Sequence, residues 1–234
     1  MSRAAVDDAA GAPRRREAVR REHPVELTLT DRAYAELEEM IVTLKLEPGT
    51  VLSEAVLAQR LKIGRTPIRE ALQRLSRDGL VNILSRRGVL VSEINLHRQL
   101  RLLEVRRELE RLMARAAAER ASDDERKQFA KIAEEMQRAA LQSDAMAFMR
   151  LDQAFNVLVS STARNEFATR SMGLMHGLSR RFWYQHYREA ADLPLAARLH
   201  AEVAEAIADR DRDRAAAASD RLVDYIESFA RSTL

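Results

Sequence analysis

The spacing of apolar residues predicts two helices at the start of the patterned part of the chain. Apolar side chains recur every three or four residues after Asp31, and Pro48-Gly49 ends this first helix. Ser53 is suited to cap a second, shorter helix, and Gly64 is suited to end it in the left-handed conformation. The pattern therefore predicts two helical elements before residue 65.

A third helix and a hairpin follow along the chain. Thr66 is suited to cap the third helix, with Pro67 at its first position and Gly79 at its end. Apolar and polar residues then alternate on both sides of a basic turn within 80–94. Three helices followed by such a hairpin predict a winged helix-turn-helix over 27–94.

The remainder of the chain has helical periodicity and no strand pattern. The apolar positions indicate six helical stretches, near 96–121, 123–142, 145–163, 166–190, 195–209 and 212–231. We therefore predict a mainly α protein, in which a winged helix-turn-helix with a small β-hairpin wing precedes an all-α six-helix bundle over 95–234. Residues 1–26 lack an apolar period and predict a flexible arm, unless its arginines contact DNA phosphates.

Composition narrows the class of protein. Only 7 Gly and 5 Pro occur in 234 residues, which leaves few turns, and 46% apolar residues support a globular core. The absence of Cys excludes disulfide frameworks and thiolate metal sites. No apolar run approaches the ~18 residues needed to cross a bilayer. We expect a cytoplasmic protein that is neither secreted nor embedded in a membrane.

Positive charge is concentrated in one part of the chain. The whole chain has a formal net charge of only +3, but 60–87 holds eight Lys and Arg against two acidic residues. A cationic segment on an otherwise anionic protein is typical of a surface that binds a polyanion. The alternative is a solvated helix face on which arginine serves solubility.

The predicted third helix supplies candidate DNA contacts. The second helix of a helix-turn-helix enters the major groove with its N-terminal residues nearest the bases, which here are Arg65, Thr66 and Arg69. An arginine fork matches guanine O6 and N7. Arg74 is suited to the DNA backbone, and Arg87 with Gly88 at the hairpin tip is suited to the minor groove.

These residues carry a resemblance to a known family. The stretches 46–54, 65–72, 78–81 and 87–91 resemble the GntR family of bacterial transcription regulators over about 31–94. The resemblance implies a DNA-binding domain in which Arg65, Thr66, Arg69 and Gly88 occupy operator-contacting positions. It also implies a homodimer that binds a near-palindromic operator.

The C-terminal part resembles, less closely, the FadR-type effector domain called FCD, in its six-helix VanR-like branch. The positions that carry this resemblance are Glu104, Arg106, Leu109, Glu110, Asp152, Asn156, Asn165 and His200. The resemblance implies a metal held by an Asp, a His four residues later and two further His. This chain has Asn156 and Leu222 at two of the expected His positions.

An amide is a poor ligand for a metal that prefers imidazole, so we predict no tightly bound transition metal and no other cofactor. Arg106, Asp152, Asn156 and His200 would then bind an organic effector directly. The alternative is that His200 is an ordinary satisfied histidine and Asp152 a surface acid.

The segment Arg180–Tyr184 places two arginines beside three aromatic residues. Such a cluster can form the wall of a carboxylate site, but it is more often core or dimer contact, which we favour. His176 and His186 flank it and are out of phase on one helix.

The sequence as a whole predicts a ligand-responsive transcription regulator, in which a small carboxylate metabolite releases a repressor from double-stranded operator DNA. An enzyme is not expected, because GxSxG, GxxxxGK[ST], GxGxxG and HExxH motifs are missing. The alternative is a non-specific architectural DNA-binding protein whose effector domain has lost its ligand.

Overall fold

The computed structural model describes residues 28–85 and 88–233, with the backbone alone for 189–190. The predicted arm at 1–26 and Arg87 lie outside the described residues. Within these ranges the chain forms nine helices and three strands. In chain order they are α1 Leu29–Val42, β1 Val51–Leu52, α2 Glu54–Leu61, α3 Arg65–Arg77, β2 Val81–Leu84, β3 Gly88–Val91, α4 Leu96–Arg120, α5 Asp123–Gln142, α6 Ala145–Thr162, α7 Glu166–Ala190, α8 Leu193–Ala208 and α9 Arg212–Arg231.

The elements α1 to β3 form an N-terminal unit around a single apolar core. The strands lie antiparallel in the order β1-β3-β2, with Val81 opposite Val91. Leu37, Ile68 and Leu75 are fully buried between the helices and this sheet. The three helices and the hairpin confirm the predicted winged helix-turn-helix. The strand β1 was not predicted, because two residues are too short for an alternating pattern.

The turn between α2 and α3 differs from the prediction. The left-handed residue at the end of α2 is Lys62, with φ 54°, whereas Gly64 has φ −59° and is the N-cap of α3. The carbonyl of Gly64 accepts the N–H of Ile68, so the helix begins at Arg65 and Thr66 is its second residue. The predicted cap at Thr66 was therefore wrong by two positions.

The elements α4 to α9 form the predicted all-α bundle. Phe129, Met136 and Ile207 are fully buried in its main core. Ala117 and Ala218 are also fully buried, and their small side chains allow α4 and α9 to approach closely. Among the described residues, no helix has the length and apolar character that a membrane span requires.

The helix α7 connects the bundle with the N-terminal unit. Leu178 packs against the apolar core of the N-terminal unit. Gly177 lies so close to Leu80 that a Cβ atom at this position would be 2.8 Å from Leu80 Cδ1. The two units are therefore in direct contact along one face of α7.

Candidate functional site

The first turns of α3 present the predicted base-contacting residues. Arg65, Thr66 and Arg69 are all exposed, whereas Ile68 and Leu72 on the opposite face are buried. The amphipathic pattern that packs α3 against the core thus leaves its cationic face open to solvent.

Arg69 has a partner that the sequence did not suggest. Its Nη2 donates to Glu54 Oε2 at 2.8 Å, and its Nε lies 3.1 Å from Oε1 and 3.2 Å from Oε2. The hydrogen bond from Arg69 holds the pKa of Glu54 below its ordinary value. The carboxylate occupies the Nε side of the guanidinium, which leaves Nη1 and one Nη2 proton for another acceptor. Glu54 therefore orients Arg69 without using all of its donors.

The other predicted DNA contacts lie in different surroundings. Arg74 forms an ion pair with Asp31 at 3.2 Å, and its guanidinium lies 4.0 Å from the ring centre of Tyr34. It therefore joins α3 to α1. Gly88 is exposed at the start of β3, where its φ of 97° disfavours any residue with a Cβ atom.

A cavity of about 410 Å³ lies between α1 and the bundle. It contains all four residues predicted to bind an effector and extends to the N-terminal unit. Its lining comprises Glu39, Val42, Thr43, Lys45, Arg106, Met146, Phe148, Met149, Arg150, Asp152, Gln153, Asn156, His176, Ser179, Arg180, Trp183, Tyr184, Ala196, His200, Tyr225 and Ile226. A cavity of this size is typical of small-molecule sites.

We call the deep polar part of this cavity its inner end, formed by Arg106, Asp152, Asn156, His176 and His200. Asp152 Oδ1 lies 3.1 Å from His200 Nε2 and accepts a hydrogen bond from Asn156 Nδ2 at 2.9 Å. The Nδ1 of His200 donates to the Ala196 carbonyl at 2.8 Å. Both ring nitrogens of His200 thus meet oxygen acceptors, which favours the imidazolium form.

The two histidines of the inner end have opposite pKa shifts. Burial alone would lower the pKa of His200, but the hydrogen bond and charge of Asp152 outweigh it and raise this pKa. Burial, helped by the charge of Arg106, lowers the pKa of His176. The guanidinium of Arg106 is itself paired with Glu110, whose Oε1 accepts from Nε at 2.6 Å. His176 was not predicted here, because nothing in its spacing from His186 indicated a partner on another helix.

The aromatic cluster divides between the cavity and the core. Trp183 and Tyr184 line the cavity, and Phe148 packs against Trp183 with ring centres 6.0 Å apart. Phe182 is buried instead, edge-on to Phe229. Part of this segment therefore lines a cavity and part belongs to the core, and its role in binding a carboxylate stays a prediction.

The two arginines of this cluster both reach the N-terminal unit. Arg180 lines the cavity and pairs with Glu39 of α1 at 3.2 Å. Arg181 is buried and donates to the Ser92 carbonyl at 2.9 Å and to Ser92 Oγ at 3.0 Å. Ser92 Oγ in turn donates to the Gly79 carbonyl at 2.8 Å, just beyond the end of α3. One helix thus contacts the cavity and α1 directly, and the end of α3 through Ser92.

The donor set does not fit the metal that the FCD resemblance implies. Asn156 offers an amide in place of imidazole, and Leu222 offers no donor. In the part of the chain that the structure describes, no three His, Asp or Glu side chains converge as a metal site. The inner end is instead a set of mutually paired polar groups that face a cavity.

The fold and the site agree with two family matches. Residues 29–91 match the family described as bacterial regulatory proteins, gntR family, and residues 101–225 match the FCD domain. The chain belongs to the GntR family of regulators with an FCD domain. It is thus a DNA-binding transcription regulator, and its relatives point away from an enzyme.

Similar proteins have comparable lengths. The Nta operon transcriptional regulator of Aminobacter aminovorans is 27% identical over 178 residues, which covers 76% of this chain and 83% of that protein. The HTH-type transcriptional repressor RspR of Escherichia coli K12 is 26% identical over 180 residues, covering 77% and 79%. The E. coli McbR/YncC structure has a TM-score of 0.75 at 18% identity and covers 89% of this chain and 99% of its own. This last similarity concerns the fold alone.

Proposed function

We propose that this GntR-family regulator reads a specific operator and releases it when a small organic acid occupies the cavity. In this proposal 27–94 binds DNA and 95–234 binds the effector. The observation that best supports this proposal concerns α7. This helix lines the cavity through Arg180 and contacts the N-terminal unit through Arg180 and Arg181. A cytoplasmic location belongs to the same proposal, because that is where a bacterial operator is found.

The operator is contacted by the N-terminal end of α3 and by the wing. Arg69, oriented by Glu54, donates to a guanine, since a bidentate arginine–guanine pair discriminates between bases. Arg65 and Thr66 bind adjacent bases or phosphates, and Arg87 with Gly88 enters the minor groove. Arg74 contacts the DNA backbone from its place beside Tyr34 on α1.

The effector acts by changing how α7 holds the N-terminal unit. A ligand that contacts Arg180 competes with Glu39 for its guanidinium, and so changes the relative stability of two arrangements of the units. A ligand that binds one arrangement more tightly shifts the population towards it. Linkage requires that the DNA complex then binds this ligand more weakly.

Three finer points belong to the same proposal. The repressor role is supported by the E. coli relative that is named a repressor. The VanR-like branch is supported by the six bundle helices α4 to α9. The homodimer is supported by Val105 and Leu112, which are exposed seven residues apart on one face of α4.

The operator proposal is tested by selecting duplexes from a randomised library with the full-length protein. We expect an enriched, near-palindromic site. Arg69→Ala should weaken binding to that site on the order of 10- to 100-fold and relax base preference at one position of each half-site. Arg138→Ala, which removes the same charge from an exposed position of α5, is the matched control and should leave the preference unchanged. Selection without any enriched site would instead favour the architectural alternative.

A further inference from the structure

An acidic side chain lies within the cationic surface at the start of α3. Glu54, the first residue of α2, meets Arg69 of α3, and Arg65 is close enough for its charge to act on the same carboxylate. The hydrogen bond from Arg69, followed by the charges of Arg69 and Arg65, holds the pKa of Glu54 below its ordinary value. Glu54 therefore stays ionised at neutral pH and can only accept hydrogen bonds.

A carboxylate in this place is unfavourable for DNA binding unless it finds a hydrogen-bond donor on the DNA. The phosphates repel it, so its charge weakens binding to any duplex. The side chain of Glu54 is 31% exposed, and its Oε1 receives only the bond from Arg69 Nε at 3.1 Å. A carboxylate has about four lone-pair positions, so Glu54 can accept a further hydrogen bond from the groove.

The major groove offers few donors for this bond. The base edges there present only two donor groups, the N4 amino group of cytosine and the N6 amino group of adenine. Adenine also presents its N7 acceptor beside N6, and this acceptor repels an ionised carboxylate. Cytosine itself presents no acceptor in the major groove. An ionised Glu54 therefore favours cytosine.

The geometry of the ion pair indicates where this cytosine lies. Glu54 occupies the Nε side of the Arg69 guanidinium, so Nη1 and one Nη2 proton point away from the carboxylate. A guanine bound by these free donors lies on the opposite side of the guanidinium from Glu54, which therefore meets another base pair. Successive base pairs are about 3.4 Å apart, comparable with the contact between Nη2 and Oε2.

We propose that Glu54 is a second residue that contacts a base, and that it accepts a hydrogen bond from cytosine N4 at the base pair next to the guanine bound by Arg69. This inference rests on the proposed operator recognition by α3 and deepens it. Arg69 and Glu54 then specify two adjacent base pairs together. The carboxylate favours the correct sequence through the N4 bond and disfavours other sequences through repulsion.

The test selects duplexes from a randomised library with the full-length parent protein and, in parallel, with Arg69→Ala and Glu54→Gln. We expect the parent site to hold a cytosine next to a guanine in each half-site. Arg69→Ala should lose the preference for the guanine. Glu54→Gln should change the neighbouring preference from cytosine to adenine, because an amide accepts from adenine N6 and donates to N7. A residue that only orients Arg69 would affect the guanine position instead.

The selected duplex and a duplex with adenine in place of this cytosine are then compared by fluorescence anisotropy. The parent should bind the cytosine duplex about fivefold to tenfold more tightly, and Glu54→Gln should abolish or invert this ratio. Glu70→Gln is the matched control: it removes the same charge from an exposed position of α3, where Glu70 accepts from Thr30, and should keep the ratio of the parent.

An unchanged ratio in Glu54→Gln would overturn base contact by Glu54 and leave operator recognition by Arg69 standing. The same conclusion follows if Glu54→Gln changes only the Tm, because Glu54 would then serve only the N-terminal end of α2. If the parent protein enriches no site at all, both the cytosine contact and the proposed operator recognition are refuted.

Discussion

The N-terminal unit and the bundle place their functional groups in opposite surroundings. The candidate DNA contacts Arg65, Thr66 and Arg69 lie within five residues on one exposed helix face. The cavity draws its lining from α1 and five bundle helices, and its inner end is largely buried. A polyanion is met by cations at the surface, whereas a small ligand requires enclosure and therefore residues from distant parts of the chain.

The ion pairs of the two regions differ in the same way. The Arg69–Glu54 pair is open to solvent, so its value lies in orientation more than in stability. Arg181 is 2% exposed, and its hydrogen bonds to Ser92 hold the two regions together. Burial lowers the pKa of Arg181, which nevertheless remains charged at neutral pH. The buried contact is therefore the place where the two regions can be separated.

The largest effect is expected from Arg181→Ala. Loss of charged hydrogen bonds to the Ser92 carbonyl and Oγ should cost about 3 kcal/mol of unfolding free energy. This corresponds to a fall in Tm of about 6–12 °C for a chain of this size. Calorimetry should also resolve two transitions, because the N-terminal unit and the bundle no longer unfold together.

Arg188→Ala on the same helix is the control, since Arg188 donates only to its neighbour Tyr187 among the described residues. It should keep one transition and a Tm close to that of the parent protein. A single transition at an unchanged Tm in Arg181→Ala would show that the units are joined by other contacts.

The second largest effect is expected on operator binding, when the Arg69–Glu54 ion pair of the N-terminal unit is removed. Removal of the Glu54 carboxylate in Glu54→Ala frees Arg69 to move, so binding to the selected operator should weaken about fivefold to tenfold. Binding to an unrelated duplex should strengthen, because one negative charge is removed near the phosphates. The ratio of the two affinities, measured by fluorescence anisotropy, reports the orientation of Arg69.

Glu70→Gln is the control, because it removes one negative charge from α3, the helix of Arg69, and Glu70 accepts a hydrogen bond from Thr30 and none from Arg69. It should change both affinities alike and leave their ratio intact. Stronger binding of Glu54→Ala to both duplexes equally would mean that Glu54 withholds Arg69 from DNA.

The contrast between the regions also decides what could be predicted from the sequence. The winged helix-turn-helix follows from local periodicity and turn residues, and its contacts lie close together along the chain. The bundle helices follow from periodicity as well, but their packing partners do not. Lys45 and His176 reach one cavity across 131 residues, and no local pattern encodes such a contact. Glu54 was not predicted as the partner of Arg69, because an acidic residue at the start of a short helix does not indicate which residue of another helix it will pair with.

A smaller effect is expected at the packing between α7 and the N-terminal unit. A Cβ atom at Gly177 would lie 2.8 Å from Leu80 Cδ1, and Leu80 is fully buried and has little room to move. Gly177→Ala should therefore cost about 1–3 kcal/mol of packing, partly offset by about 1 kcal/mol of helix propensity. Gly173→Ala, four residues earlier with nothing within 4 Å, gains only the propensity and should raise Tm by about 2–4 °C. Equal changes in Tm for the two variants would mean that α7 does not press against Leu80.

The smallest effect is a pH dependence of stability near neutral pH. It is expected for the bundle alone, because the described N-terminal unit contains no histidine. The raised pKa of His200 stabilises the bundle below pH about 6.5 and this contribution is lost as pH rises through the folded pKa. The lowered pKa of His176 acts oppositely, since the unfolded chain takes up a proton first as pH falls.

The difference in unfolding free energy between variant and parent is compared at pH 6 and at pH 8. For His200→Gln this difference should be more unfavourable at pH 6 than at pH 8. For His176→Gln it should be more favourable at pH 6 than at pH 8. Both comparisons use the free energy of unfolding measured in urea at the two pH values. The charges that face His176 are Arg106, Glu110, Asp152 and Arg180, and they are unchanged in both variants. Differences of the same sign would mean that Asp152 does not hold the charge of His200.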